Sequence, residues 1–261
     1  METTTGESEM EFLEVDDDAI VEDAPSLPLS RAYPSRYGAP ILDRVNPLIF
    51  SLTYFAHCMQ CGFCNDSCCQ FGADIEIPRV RAIEVHQAEL EKYLGIPRSE
   101  WFREDPDDFG TLPEVEYPGG EYTRTRVIPL PEGRSAHNEE ACVFLDPVGR
   151  GCRLHRFALE RDIDVHEIKP LVCLLFPMSF ADGVLKPAYE FEVDDIVCQG
   201  PGPTLYSAAR EDALYYFGPE MIAELDALAL EYAVPAADRN ERSVSLPMTS
   251  GIDASKTVRT A

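Results

Sequence analysis

The chain has 261 residues, 45% of them apolar, and carries 22 Lys and Arg against 47 Asp and Glu, for a formal charge of -25. That length and apolar share suffice for one hydrophobic core with a small appendage. The charge repels phosphate backbones and anionic lipid, so neither nucleic acid nor a membrane is expected as a partner.

Residues 1–25 run from Glu2 to Asp23 in acidic side chains with no Lys or Arg. They read as a solvated, disordered tail and a candidate segment for recruiting a protein partner. The stretch 26–40 contains Pro28, Pro34 and Pro40 with Ser and Arg and reads as a linker, so that 1–40 is expected to lie outside the folded part. No basic residue precedes Arg31 and there is no apolar h-region, which does not meet the secretory pattern. The strongest apolar run, 171–176, stops at Pro177, short of a membrane span. A cytoplasmic location is the expectation.

Folded structure is expected over 41–203. The segment 48–55 (LIFSLTYF) is rich in strand formers and reads as extended, and 75–77 as a further short strand. Pro78 is placed to open a helix in which Val80, Ile83, Leu90 and Leu94 form one buried stripe before Gly95 and Pro97. Four prolines or glycines, Pro106, Pro113, Pro118 and Gly119, make 101–120 an irregular excursion. Residues 122–128 alternate like a half-exposed strand, and 141–145 are a second candidate. The turn 147–151 (PVGRG), with Asp146 as its cap, brings Cys152 close to Cys142. A helix over 153–161 follows, then a hairpin through Ala181-Asp182-Gly183, then a Gly/Pro loop, 198–203 (CQGPGP), opened by Cys198. Residues 205–217 and 219–232 read as two closing helices within a region 204–235, and 236–261 as a second disordered tail. The expected fold class is α+β: a small, irregular, cysteine-rich, metal-centred domain with short strands and flanking helices.

The nine cysteines carry the chemistry. Five fall within 57–70 (HCMQCGFCNDSCCQ), spaced Cys58-x2-Cys61-x2-Cys64-x3-Cys68-Cys69. In a reducing compartment such thiols stay free, and a polar loop containing Gly and Asn suits ligation better than core packing. Structural zinc sites draw pairs of ligands from two separated knuckles, whereas three thiols at successive three-residue intervals wrap one face of an iron-sulfur cube. Through Cys68 the spacing equals the bacterial ferredoxin run, with Cys69 where Pro follows there. The chain has no second such run, so the likeness is one of local geometry. Gly62 suits a tight loop that aims N–H groups at sulfur, and Phe63 either shields the site or packs in the core.

Cys142, Cys152, Cys173 and Cys198 each fall beside an expected turn or element end, where they can converge on one or two centres. In extended backbone Cys68 and Cys69 would point opposite ways, so that one faces each centre or one is spare. His57, His155 and His166 read as surface residues or hydrogen-bond donors to sulfur rather than ligands. Lys169 is a candidate to offset the negative charge of a thiolate-metal centre, while Arg153 reads as surface charge. No phosphate-binding loop, dinucleotide fingerprint or nucleophile elbow is present.

On these residues the chain resembles the YkgJ-like cysteine-cluster family, described by its CxxCxxCC domain as zinc- or iron-chelating. The cluster from Cys58 to Cys69 looks like the family signature, with Asn65, Asp66 and Ser67 as extra spacing. Cys142-Val-Phe-Leu-Asp146 with Gly149, Gly151 and Cys152 looks like its cysteine, strand, turn and second cysteine. The run from Lys169-Pro170 through Cys173 to Phe176-Pro177 is similar to its basic-Pro, cysteine, aromatic-Pro element, and Cys198 corresponds to the late cysteine. The resemblance implies metal chelation by Cys58, Cys61, Cys64, Cys68, Cys69, Cys142, Cys152, Cys173 and Cys198. The expected cofactor is an iron-sulfur cluster, 4Fe-4S favoured, or a zinc or iron ion. Some relatives join the domain to lysine methylation of flagellin, so a protein-modifying enzyme is an alternative; a thiol redox switch is another.

Overall fold

Leu27–Pro34 is a strand, β1, paired antiparallel with β2, Ile41–Val45. The expected linker over 26–40 is therefore corrected: Leu29 and Tyr33 are buried in the core. Prolines are tolerated here because β1 is the edge of a four-stranded sheet. A bulge between Pro28 and Tyr33 absorbs the irregularity. β2 runs parallel to Val184–Pro187 (β9), which forms the expected hairpin with Met178–Ala181 (β8). The sheet order is thus β1-β2-β9-β8.

The computed structural model describes residues 26–55, 66–103, 122–131, 139–192 and 199–232. The two expected tails, the segment bearing His57, Cys58, Cys61, Gly62, Phe63 and Cys64, most of the excursion 101–120, and Cys198 lie outside the described residues.

Several local expectations change where tertiary pairing competes with pattern. Residues 48–55 are not one extended segment: Asn46 caps a 3-10 turn, Pro47–Phe50, by accepting from the Leu48 amide at 2.9 Å, and only Thr53–Tyr54 (β3) is strand. An Asn followed by Pro is a helix-start signal that outweighs the strand formers behind it. Asp74–Glu76 (β4) leads into helix α1, Ile77–Val85, and helix α2, Gln87–Leu94, with a break at His86 where one helix was expected. The stripe nevertheless holds, since Val80, Ile83, Leu90 and Leu94 are all buried. The expected strand 122–128 divides into Tyr122–Arg124 (β5), paired with β4, and Val127–Pro129 (β6), paired with Glu140–Cys142 (β7). Buried Thr125 sits at the division. The expected strand 141–145 likewise ends at Cys142, because the chain turns to bridge Leu145 with Cys152.

Gln199–Thr204 (β10) is strand, not loop, and pairs with β3. The Gly/Pro content misleads because Gly202 is there for close approach: a Cβ on it would lie 2.0 Å from the Tyr54 carbonyl oxygen. G202A is expected to cost roughly 1–3 kcal/mol by forcing the two strands apart. A lowered urea midpoint measures it; an unchanged one contradicts the close approach.

Two apolar clusters result. One packs the sheet against the final helix; the other packs α1, α2 and Arg153–Glu160 (α3) around Trp101 and Phe144. Trp101 and Phe102, expected in the irregular excursion, are core residues. Buried Arg79 of α1 ties the clusters together, donating to the Tyr37 hydroxyl at 2.9 Å and the Tyr216 hydroxyl at 3.0 Å. Three short helices add to them: Val165–Ile168 (α4) gives Ile168 to the second cluster, while Leu171–Leu175 (α5) and Tyr189–Glu192 (α6) give Leu171, Leu174, Leu175 and Phe191 to the first.

The final helix, Leu205–Tyr232 (α7), is two helices joined at Gly218, whose φ of 82° and ψ of 172° only glycine adopts readily, with Pro219 opening the second half. This matches the two expected closing helices. Across the joint, Asp226 accepts from Arg210 Nε at 2.8 Å and from the Tyr206 hydroxyl at 2.7 Å. The Arg210 hydrogen bonds hold the Asp226 carboxyl at about 2, below its ordinary 3.8. Its stabilising contribution is therefore complete above pH about 4 and lost as pH falls through about 2. A D226N variant is expected to flatten the acid side of the melting-temperature profile, and an identical profile contradicts the clamp.

Among the described residues no helix is long and apolar enough to cross a membrane. The observed class is a mixture of helices and short strands, α+β.

Candidate metal centre

Cysteines from four separate stretches converge on one half-enclosed cavity. Cys68, Cys69, Cys142, Cys152 and Cys173 all line it, although up to 105 positions separate them in the chain. Each is placed by a different local device. Cys68 and Cys69 sit in a 3-10 turn, Ser67–Cys69, held by the Cys69 amide donating to the Asp66 carbonyl at 2.8 Å. Cys142 ends β7, and its thiol donates to the Thr125 hydroxyl at 3.3 Å. That hydroxyl in turn accepts from the Ala73 amide at 2.8 Å, locking Thr125 against the loop after Cys69. Cys152 immediately precedes α3, and the bridge between Leu145 and Cys152 folds it back beside Cys142. Cys173 lies inside α5, which starts after Lys169-Pro170.

The turn expected to deliver Cys152 forms as the sequence indicates. Asp146 accepts from the Val148 amide at 3.0 Å and the Gly149 amide at 2.7 Å, and pairs with Arg156. Partial burial alone would raise the Asp146 carboxyl, but those amides and the Arg156 guanidinium outweigh it and hold the group at about 2.

Adjacent Cys68 and Cys69 face one cavity rather than opposite sides. Both line the same cavity and their thiols hydrogen-bond, because a 3-10 turn, unlike extended backbone, does not alternate side chains between faces. That hydrogen bond, followed by burial, pushes the Cys69 thiol well up. Burial pushes Cys142 up to about 11, partly opposed by Thr125. Burial also pushes Cys173 well up, opposed by the positive charge of Lys169. The hydrogen bond at Cys69 and burial at Cys142 and Cys173 all favour the neutral thiol until a cation is supplied.

Lys169 lines the cavity; His155, His166 and Arg153 do not. His166 is held between carboxylates, Nδ1 2.7 Å from Asp164 and Nε2 2.8 Å from Asp212, and stacks on Tyr215. Burial first, then the charge of Lys169, pulls the His155 imidazole down. The Arg153 guanidinium packs over the Tyr93 ring at 5.6 Å and bonds the Tyr93 carbonyl.

Three residues that the sequence reading did not assign to the site build its walls. Asp66, read only as spacing, is a buried carboxylate on the cavity wall, gripped by Arg150 through Nε at 2.8 Å and Nη2 at 3.0 Å. This fork fastens the Cys68-Cys69 turn to the turn before Cys152. Thr125 supplies the hydroxyl described above. Tyr54 lines the cavity and pairs through β3 with Gln199, the residue after Cys198. The only available signal was an Asp next to a cysteine cluster with an Arg in a distant turn, and nothing in the sequence pairs them.

Cys58, Cys61, Cys64 and Cys198 lie outside the described residues, but Asp66, where the chain resumes after the first three, is itself on the cavity wall. Among the described residues no three or more Cys, His, Asp or Glu side chains stand in an arrangement ready to hold a metal ion. The donor set facing the cavity is nonetheless five thiols with a single carboxylate, already engaged by Arg150, which is sulfur-rich chemistry suited to zinc or iron-sulfur. Compared with models of protein families, with curated proteins and with solved structures, the chain matches none.

Proposed function

We propose that this chain is a metal-binding cysteine-cluster protein whose thiol cavity holds an iron-sulfur cluster, with zinc as the alternative metal. The observation that carries the reading is the meeting of Cys68, Cys69, Cys142, Cys152 and Cys173 in one cavity from remote parts of the chain. Free cysteines serving only as packing have no reason to gather there, whereas ligands must. The three-residue spacing of Cys58, Cys61 and Cys64 favours the cluster over zinc. The resemblance to the YkgJ-like family, resting on the same cysteines, points the same way.

In this reading Cys142, Cys152, Cys173 and one or both of Cys68 and Cys69 hold the centre, together with thiols from the segments 56–65 and 193–198. A bound iron-sulfur cluster supplies one-electron chemistry or a folding cross-link. The protein contributes the rest. Thr125 orients the Cys142 sulfur, the Asp66–Arg150 fork sets the distance between the two thiol-bearing turns, and Phe144, Leu145 and Leu154 keep water from the wall.

Anaerobic purification with elemental analysis and a visible spectrum tests the proposal. The expected protein is brown, with iron and acid-labile sulfide. A colourless protein with stoichiometric zinc overturns the cluster, and a metal-free one overturns metal binding. The hydrogen-bonded Cys68-Cys69 pair, with Cys68 exposed, favours a second reading as a thiol redox switch, which metal-free protein containing reduced thiols would support.

A further inference from the structure

We infer that His166 is a pH-sensitive latch: with both ring nitrogens protonated it fastens α4, and with it the lead into the Cys173-bearing helix α5, to the closing helix α7, and the fastening weakens as pH rises.

The latch lies on the seam of the fold. α4 packs through Val165 against both apolar clusters and runs through Lys169 and Pro170 into α5. Its His166 ring has a carboxylate at each end: Nδ1 is 2.7 Å from Asp164, and Nε2 is 2.8 Å from Asp212 of α7, 46 positions away. Ionised carboxylates only accept, and a neutral imidazole donates from one nitrogen alone. Both contacts are hydrogen bonds together only when the ring carries both protons, and they are then charge-assisted. The geometry is held from the sides as well. Asp164 also accepts from the His166 amide at 2.9 Å, while the ring stacks on Tyr215 at 4.2 Å and meets Tyr216 edge-on at 6.3 Å.

The neighbouring cations do not replace the imidazolium. Arg79 of α1 donates to the Tyr37 and Tyr216 hydroxyls and acts on Asp164 only through its charge. Arg36, between β1 and β2, lies over the Tyr215 ring at 3.9 Å. Lys169 acts on Asp212 through its charge, and Glu211 opposes it there. Burial raises the Asp212 carboxyl above its ordinary 3.8, against the His166 hydrogen bond. Loss of the ring proton therefore removes a compensating charge from a half-buried carboxylate along with a hydrogen bond. Folding favours the protonated pair, so its contribution is present in mild acid and lost as pH rises. Lys169 acts on the Cys173 thiol as well as on Asp212, which carries the change towards the thiol cavity.

Full-length parent, H166Q and D212N proteins are melted at about pH 6 and about pH 9, on either side of the histidine range, with metal content matched between samples. The parent is expected to melt about 5 °C above H166Q at the lower pH, with the gap closing at the higher, and D212N is expected to behave like H166Q. Proton–nitrogen NMR is expected to show the His166 ring, identified by its loss in H166Q or its shift in D212N, with protons on both nitrogens at the lower pH and on one at the higher. Amides over 165–175, corrected for intrinsic exchange, should lose about tenfold protection between the two pH values in the parent and not in the variants. A gap equal at both pH values marks a merely structural ring and overturns the inference, as does a singly protonated ring at the lower pH or protection lost evenly along the chain. If H166Q does not fold, D212N carries the same comparison. Metal-free protein that shows the pH-dependent gap sinks the metal-centre reading alone; metal-loaded protein without the gap sinks this one alone.

Discussion

If the chain holds the proposed metal centre, removing the metal with a chelator is expected to destabilise the protein by on the order of 10 kcal/mol, the scale of structural metal sites, which is comparable to the entire net stability of a typical domain. The reason lies in the cavity walls. Five thiols from the 67–69 turn, β7, the start of α3 and α5 face one space, and the elements carrying them are short. β7 has three residues and α5 has five, so neither buries enough surface to be stable alone. In the proposed metal-bound form, a shared ion or cluster would cross-link them in a way that hydrophobic contact does not.

The loss is expected to be uneven. The sheet with α7 and the cluster around Trp101 have apolar cores of their own, so circular dichroism should retain helix signal while near-ultraviolet signal and protease resistance around the cavity fall. C142S and C173S should each reproduce much of the effect, whereas substituting a surface residue such as Val148, 88% exposed, should not. If complete metal removal, verified by elemental analysis, leaves the melting temperature where it was, the centre does not staple the fold.

D66N is the second large effect. The Asp66 side chain is only 7% exposed and receives a two-point grip from Arg150, itself 23% exposed. Replacing the carboxylate by an amide removes the charge and one acceptor but leaves the guanidinium in place. Breaking a buried pair from one side in this way costs roughly 3 kcal/mol, much of it the penalty of the stranded cation. The consequence reaches the site, because this pair sets the separation between the Cys68-Cys69 turn and Cys152. Metal stoichiometry or retention is therefore expected to fall together with the urea midpoint. R150K keeps the charge but not the fork and should be intermediate. A D66N protein with parental stability and full metal content would show that the pair is incidental.

Much of the chain was legible before the structure. The hairpin at 178–187, the buried stripe from Val80 to Leu94, the turn capped by Asp146 and the division of the closing helix at Gly218 each follow from a local rule: turn chemistry, helical period, side-chain capping or glycine's access to positive φ. Where reading failed, a distant partner decided. β1 is a strand despite its prolines because β2 offers it an edge, and β10 is a strand despite its glycines because Tyr54 lies against Gly202. The same holds for 122–128, split because β4 and β7 compete for its two halves.

The sequence by itself determined the chemistry available: nine thiols, a run of them at intervals of three, a turn able to return Cys152 towards Cys142, and a lysine before Cys173. Residue type and short spacing set those, and both are written along the chain. Only the tertiary structure decided that Cys68 and Cys69 share one cavity, that Asp66 pairs with Arg150 to join two of the turns around it, and that Lys169 lines it while His155 and His166 do not. Those outcomes depend on which surfaces bury each other across 80 or more positions, and the free energy that selects them comes from packing and desolvation rather than from neighbouring residues.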